Sequence, residues 1–200
     1  MQLPYFLVAL PSLNDPVFSR SVILMTHHNA EGAMGFVINH PMLQDNETLT
    51  QMVAEIRDAS GEKVLEYEEI LFNGGPAQTD AIFALHDMSE VSIHDTKLAD
   101  DLFLSNNPDT FHRLLESDEN KTRRRFFVGC ASWDAGQLDG ELRSGTWFSV
   151  AFDRKFLFRN LSTEEIDEKW KLRCWTDVLK SGGVDPLITM SPSSGSSETN

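Results

Sequence analysis

The stretch FFVGCASWDAGQLDGEL, residues 126–142, contains a cysteine, a tryptophan, three acids and several glycines within one short run. Its apolar start predicts a buried strand, and we expect a helix to begin near Asp134. Three alternatives follow for the stretch: an active site around Cys130, a metal-binding loop, or a structural junction between a strand and a helix.

The catalytic and metal-binding alternatives both lack supporting residues. A nucleophilic Cys130 needs a lowered thiol pKa, which a helix N-terminus or a nearby cation provides. No local signature accompanies this cysteine, so a small apolar residue at the end of a buried strand is the commoner reading. The acids do not match an EF-hand loop, because Ala135 and Gln137 fall on ligand positions. The structural junction is therefore favoured.

The rest of the chain contains more strands than helices. Apolar and β-branched runs predict strands within 3–10, 21–28, 34–40, 68–75, 80–87, 123–130 and 146–152, with a further short strand before residue 107. The runs 21–28 and 34–40 are separated by a glycine-containing connector of hairpin length, so we expect them to pair antiparallel. Because strands and helices do not alternate regularly, the pattern predicts an α+β fold and not a doubly wound parallel sheet.

Three helices are predicted from cap residues and apolar spacing. The first covers 48–61, where Thr48 and Gln51 have capping-box spacing. The second follows Asn107, which is an N-cap residue with Pro108 after it. The third covers 162–183, where Ser162 and Glu165 form a capping box and Gly182 ends the helix. Cys174 falls on the apolar stripe of the last helix, which predicts that it is buried.

Composition limits the class of protein. The 200 residues are enough for one sizeable core, so we expect a single domain over 1–188 and a disordered Ser/Gly-rich tail over 189–200. The chain has 17 basic and 31 acidic residues, a net charge of -14, which disfavours direct binding to nucleic acid or to an anionic membrane. Two cysteines and an N-terminus without a basic region indicate a cytoplasmic protein.

The histidines and one glycine pair offer weak candidate sites. His28 can approach His40 across the predicted hairpin, which is the one zinc-like arrangement in the sequence. Gly74 and Gly75, in the segment NGGP (73–76), can form an anion-binding nest of backbone amides, although a tight turn is the default. No intact metal, cofactor or phosphate-loop signature is present in the sequence.

A dense basic run occupies residues 120–127, NKTRRRFF. Since alternate residues of a strand face the same side, Arg123 and Arg125 are expected to share one face and Arg124 the other. A solvated sheet edge is the simple interpretation, and a docking patch for an acidic partner is the alternative.

These blocks together resemble the YqgE/AlgH family, also called UPF0301. The resemblance rests on PSLNDPVFSRSVILMTHHNAEGAMGFVINHP (11–41), NGGP (73–76) and GCASWDAGQLDGE (129–141) followed by TW, and it runs from about Tyr5 to the final helix. The family pattern differs at three positions: it has an aromatic residue where Cys130 stands, a glycine in place of Ser132, and asparagine in place of Gly145. A family without a cysteine there does not use Cys130 as a shared nucleophile.

The resemblance implies a single α+β domain with a mixed, bifurcated sheet, a small barrel-like part and packing helices. It also implies an undefined biochemical function, and some members carry a transcriptional-regulator label. The matching polar and glycine positions form the candidate binding set: Ser12, Asp15, Arg20, His28, Asn39, Gly74, Gly75, Gln137 and Glu141. Within it, Arg20 is expected to pair with Asp15, and Ser12 to cap a helical turn.

Two functions remain open from the sequence. The first is a non-catalytic regulatory or binding module that acts on a protein or small-molecule partner, without a cofactor or metal, and that can form a homodimer through exposed strand edges. The alternative is an enzyme with a pocket near His28 and the NGGP turn. Any transcriptional role is expected to be indirect, since the net charge opposes contact with DNA.

Overall fold

The computed structural model describes residues 2–42, 71–90, 92–117, 121–158 and 169–186. These residues contain nine strands: β1 (Tyr5–Ala9), β2 (Val22–Asn29), β3 (Gly32–Val37), β4 (Leu71–Asn73), β5 (Ala77–His86), β6 (Thr96–Ala99), β7 (Leu102–Ser105), β8 (Arg124–Asp134) and β9 (Trp147–Ala151). The helices are α1 (Pro108–Glu116), α2 (Gln137–Arg143), α3 (Arg154–Leu157) and α4 (Trp170–Ser181). The helix predicted over 48–61, the capping box at Ser162 and the tail 189–200 lie outside the described residues.

All nine strands belong to one mixed sheet that curls into a half-barrel. The strand order is β6-β7-β5-β8-β3-β2-β1-β9, and β4 pairs with β8 beside this path. Every pairing is antiparallel except that of β4 with β8. The predicted α+β class and bifurcated sheet are confirmed, as is the antiparallel pairing of β2 with β3.

The sheet branches at β8, which is the strand that opens the stretch 126–142. The first half of β8 pairs with β5 on one side and with β4 on the other, and its second half pairs with β3. Gly129 lies between the two halves with φ 69°, which breaks the alternation of the strand. As a result Phe127 and Cys130, three residues apart, pack in the same core.

The two faces of the sheet bury different cores. In β1, Phe6 and Val8 pack with α4, whereas Tyr5 and Leu7 point to the opposite face, which α2 covers. A third group of apolar side chains lies between α1 and the β4–β5–β8 part of the sheet. Because side chains alternate along β1, this one strand contributes to two cores. The family-motif residues likewise lie on both sides of the sheet.

The helix signals in the sequence agree with the structure where it is described. Asn107 caps α1, its side-chain oxygen accepting from the backbone N–H groups of Asp109 and Thr110. In α4, Trp170, Cys174 and Val178 are all buried, and the helix ends at Gly182. The stop signal and the buried stripe of the last helix are confirmed. None of the helices in the described ranges is long and apolar enough to span a membrane.

Two expectations are wrong. His28 pairs with Ala33 next to the hairpin turn, whereas His40 follows β3 at the far end of the hairpin, so the two histidines cannot share a metal ion. Arg125 is not on a solvated edge, because it is only 4% exposed. Its guanidinium lies 4.4 Å from the centre of the Phe72 ring and donates to the backbone oxygen of Ile38.

Candidate functional site

The carboxylate of Glu141 is the centre of the motif residues on the α2 side of the sheet. It accepts hydrogen bonds from the indole N–H groups of Trp133, at 3.0 Å, and Trp147, at 2.7 Å. The Gln137 amide donates to its other oxygen at 2.9 Å, one helical turn away, and the Gln137 carbonyl accepts from the backbone of Asp134. Glu141 therefore joins β8, α2 and β9 through three donors.

The turn before β2 packs over Glu141 and the two tryptophans bound to it. Asp15 caps the turn, since its Oδ1 accepts from the backbone N–H groups of Val17 and Phe18, both at 2.8 Å. The Phe18 ring stacks on the Trp133 ring, with 6.4 Å between the ring centroids, and makes a T-shaped contact with the Trp147 ring, with 5.8 Å between the centroids. The cap thus places an aromatic ring over the two indoles that Glu141 holds.

Two expected contacts of this turn do not form. Within the described residues Asp15 makes no ion pair with Arg20, because its carboxylate is used by the turn amides. Ser12 is exposed and is not the cap residue. A carboxylate accepts hydrogen bonds from two backbone amides more readily than a serine hydroxyl does, which explains why Asp15 and not Ser12 caps the turn.

A row of three polar side chains connects β1, β2 and α2 at the edge of the same surface. The Tyr5 hydroxyl is hydrogen-bonded to His28 Nδ1 at 2.8 Å, and His28 Nε2 lies 3.3 Å from Asp139 Oδ1. Burial, and secondly the negative charge of Asp139, raise the pKa of Tyr5 to about 12, so the hydroxyl keeps its proton.

Tyr5 is not among the candidate residues of the sequence, and Asp139 enters only as one of the acids tested against a calcium-binding loop. A tyrosine in the buried strand LPYFLVAL was the available signal, because a buried hydroxyl needs a polar partner. His28 thus lies between a hydroxyl at Nδ1 and a carboxylate near Nε2, and the side chain that supplies this carboxylate, Asp139, is 52% exposed.

Asn39 and Arg20 lie on the other side of the sheet, next to α4. The Asn39 side chain is fully buried; its oxygen accepts from the backbone N–H of Val22 at 2.9 Å. Its nitrogen donates to the backbone oxygens of Arg20, at 2.9 Å, and Lys171, at 3.1 Å. Asn39 therefore ties the turn before β2 to the first turn of the described part of α4.

The NGGP turn packs backbone against backbone. A Cβ on Gly75, which has φ 146°, would lie 2.4 Å from backbone atoms of Cys130 and Ala131. The Gly74 N–H donates to Val128 O and the Gly75 N–H to the Asn73 side chain, so neither amide is available for an anion. Close approach to β8, and not ligand binding, accounts for these glycines.

Cys130 is fully buried, and burial raises the pKa of its thiol, the reverse of what a nucleophile needs. In the described ranges no three His, Cys, Asp or Glu side chains are grouped to hold a metal ion. Eight of the nine predicted residues thus form three groups, one around α2, one beside α4 and one against β8, and the ninth, Ser12, is exposed.

Comparison with known proteins establishes the family. The model of the AlgH-like family matches residues 6–187, nearly the whole fold described above. A UPF0301 protein of Magnetococcus marinus is 32% identical over 194 residues, covering 95% of this chain and 94% of that protein. The UPF0301 protein YqgE of Salmonella paratyphi A is 30% identical over 188 residues, with 93% and 94% covered. The chain belongs to the AlgH-like, or UPF0301, family.

Solved structures agree with this assignment. The solution structure of the AlgH protein from Pseudomonas aeruginosa matches with a TM-score of 0.68 and 30% identity, covering 94% of this chain and 93% of that one. A crystal structure from Corynebacterium diphtheriae, at 21% identity, has a TM-score of 0.64 and covers 96% and 93%, and it supports the fold alone. The single α+β domain with a curled sheet is common to these proteins.

Proposed function

We propose that this protein is a non-catalytic binding or regulatory module of the cytoplasm that acts by taking up a protein or small-molecule partner. One observation supports a non-catalytic role most: five of the polar motif side chains, those of Asp15, His28, Asn39, Gln137 and Glu141, are already hydrogen-bonded within the chain. Glu141 accepts from two indoles and from Gln137. A general acid or base needs an atom that reaches the substrate, and both oxygens of this carboxylate already accept hydrogen bonds from the chain.

Mass spectrometry of the untagged protein under native conditions tests this proposal, followed by pull-down from native lysate. A reproducible extra mass, or a co-purifying protein that competes with excess untagged chain, is the expected result. A bare chain that retains nothing in either experiment would contradict it.

An enzyme remains the second candidate, and the row Tyr5–His28–Asp139 favours it. His28 lies between a hydroxyl and a carboxylate, which is an arrangement that orients an acid–base histidine. Chromogenic ester and phosphoester substrates test it: activity that is lost in His28→Asn and kept in Arg143→Gln would favour the enzyme. Absence of turnover in the wild type would leave the binding module as the function.

Self-association fits the same proposal. The path of the sheet ends at β6 and β9, and each of these strands pairs on one side only within the described residues. A free strand edge can pair with the same edge of a second copy, which gives a twofold dimer. Sedimentation velocity over a range of concentrations distinguishes a dimer from a monomer.

A further inference from the structure

Four basic residues are linked through residues 38–40, and we call them the basic cluster: Arg20, His40, Arg125 and Lys171. Asn39 holds the backbone of two of them, because its one nitrogen donates to both Arg20 O and Lys171 O. Arg125 donates to the backbone oxygen of the preceding residue, Ile38, at 3.1 Å. His40 follows Asn39 directly in the chain.

Among the described residues, no carboxylate forms an ion pair with the basic cluster. Within the described residues neither Arg20, Arg125 nor Lys171 forms an ion pair, whereas Arg123 and Arg154 share Asp87, and Lys155 pairs with Asp153. This is unexpected in a chain with 31 acidic and 17 basic residues, where an acidic neighbour is easily available. A buried or half-buried cation without a counter-ion is costly.

The local chemistry shows the same unbalanced positive charge. The pKa of Lys171 is lowered by burial and by the charge of Arg20, and the pKa of His40 is lowered by burial and by Lys171. His40 Nδ1 is buried and has no hydrogen-bond partner. Arg125 is 4% exposed, and within the described residues one of the five donors of its guanidinium is used, in the hydrogen bond to Ile38 O. In this part of the chain, therefore, Arg20, His40 and Lys171 lie near one another without a carboxylate partner.

We propose that the basic cluster binds a phosphate-type dianion, either inorganic phosphate or the phosphomonoester group of a small molecule. This inference rests on the proposed binding function and names its ligand class. Arg20 and Lys171 together match the charge of a dianion, the guanidinium by a fork of two N–H groups and the ammonium as a point charge. His40 Nδ1 supplies a neutral donor to a third oxygen. The net charge of -14 disfavours a longer polyanion on the same surface.

Arg20 has a backbone that fits this role. It is an exposed non-glycine residue with φ 56°, a conformation that L-residues seldom adopt. The hydrogen bond from Asn39 to its carbonyl oxygen stabilises this conformation. The guanidinium is thereby carried on a fixed backbone beside Lys171, and little ordering is needed when an anion binds.

Titration of the isotope-labelled protein with inorganic phosphate, and separately with methyl phosphate, tests the site by amide NMR at constant ionic strength. We expect saturable shifts of the Asn39 side-chain amide and the Lys171 backbone amide. The variants Lys171→Gln and Arg20→Gln should each weaken binding by about tenfold, since each removes one charge-assisted hydrogen bond. Arg143→Gln on α2, across the sheet, makes the same change in charge and should leave the affinity unchanged.

The two ligands distinguish the source of the anion. Tighter binding of methyl phosphate indicates a phosphomonoester, and binding of inorganic phosphate alone indicates the free anion. Shifts that grow linearly without saturation would overturn the proposal, and so would equal weakening by Arg143→Gln and Lys171→Gln. Thermal melts confirm that the surface variants fold, and His40→Gln is a further variant that leaves both cations in place.

The result is separable from that of the proposed function. A partner retained in the native mass spectrum or the pull-down, together with flat phosphate titrations, would refute the phosphate site and leave the binding module standing. Failure of both experiments would refute both.

Discussion

The carboxylate of Glu141 explains why an acid, an amide and two tryptophans occur together in this fold. Its two oxygens are shared by Trp133, Trp147 and Gln137, which come from a strand, a second strand and a helix. Buried indole N–H groups that lose their acceptor are destabilising, because water does not replace it. The motif around α2 is therefore a structural junction, as residues 126–142 predict.

Replacing Glu141 with alanine should destabilise the protein by about 3 kcal/mol, since it leaves two indole donors without an acceptor. Glu141→Gln should cost less, because an amide oxygen can still accept from the indoles. Urea unfolding followed by tryptophan fluorescence measures both values. A loss in Glu141→Ala no larger than that of Glu116→Ala, an exposed glutamate on α1, would contradict this account.

Tyr5 predicts a pH dependence. Its pKa is raised to about 12 from 10.0, first by burial and second by Asp139, so the folded state favours the protonated hydroxyl. The stability from this hydroxyl is full below the unfolded pKa and is lost as pH rises through the folded pKa. The loss amounts to about 3 kcal/mol.

Tyr5→Phe should abolish this alkaline loss. Urea unfolding at about pH 9 and about pH 11 compares the wild type with the variant. The chain has two tyrosines, so Tyr67→Phe is the matched control and should retain the loss. An identical pH dependence in wild type and Tyr5→Phe would refute the contribution of this hydroxyl.

At the scale of elements, β8 and the turn after β4 depend on each other. Gly74 and Gly75 let the turn lie directly on the β8 backbone at the point where the sheet branches. A Cβ placed on Gly129 of β8 would lie 2.5 Å from Gly75 O. A side chain on either element would push them apart and open the branch of the sheet.

Gly75→Ala should therefore destabilise the protein strongly, by at least about 3 kcal/mol, since its Cβ meets fixed backbone atoms at a strained φ. Gly140→Ala in α2 is the matched control. A Cβ there meets nothing within 4 Å, and alanine favours a helix, so stability should rise by up to about 1 kcal/mol. Thermal unfolding of the pair checks the opposite signs.

At the scale of the whole molecule, one buried side chain links the sheet to α4. Asn39 satisfies a backbone donor of β2 and two backbone acceptors, one in the preceding turn and one in α4. The Trp175 indole adds a second link, donating to Ala9 O at 2.7 Å. These polar contacts fix how the helix lies on the half-barrel, which apolar packing alone determines less sharply.

Asn39→Ala should cost about 3 kcal/mol, because three buried backbone groups lose a partner. Hydrogen exchange should show faster exchange in α4 and in the first residues of β2. Asn29→Ala is the control, as Asn29 is exposed and its oxygen accepts only from the nearby Glu31 amide. Equal losses in the two variants would refute the linking role of Asn39.

The net charge makes a further prediction for the molecule as a whole. With a charge of -14, the protein should not bind duplex DNA even at low salt. Fluorescence anisotropy of labelled DNA measures this directly. Saturable binding that weakens steeply with added salt would contradict it and would revive direct transcriptional control.

Local patterns of the sequence were enough for much of the fold. Two apolar, β-branched runs with a glycine-containing connector predicted the β2–β3 hairpin, the N-cap at Asn107 predicted the start of α1, and Gly182 predicted the end of α4. These features depend on residues a few positions apart, whose preferences for backbone conformation and burial are present in any context. The motif blocks also identified the family, because their order and spacing extend over most of the chain.

The partners of the polar residues required the tertiary structure. Asp15 does not pair with Arg20, His28 meets Tyr5 and Asp139, and Arg125 is buried, because strands distant in sequence decide which side chains share a space. Asn39 contacts a residue 132 positions away, a separation at which no local pattern restricts the choice. Secondary structure follows from near neighbours in the chain, whereas hydrogen-bond partners and unbalanced charges follow from packing.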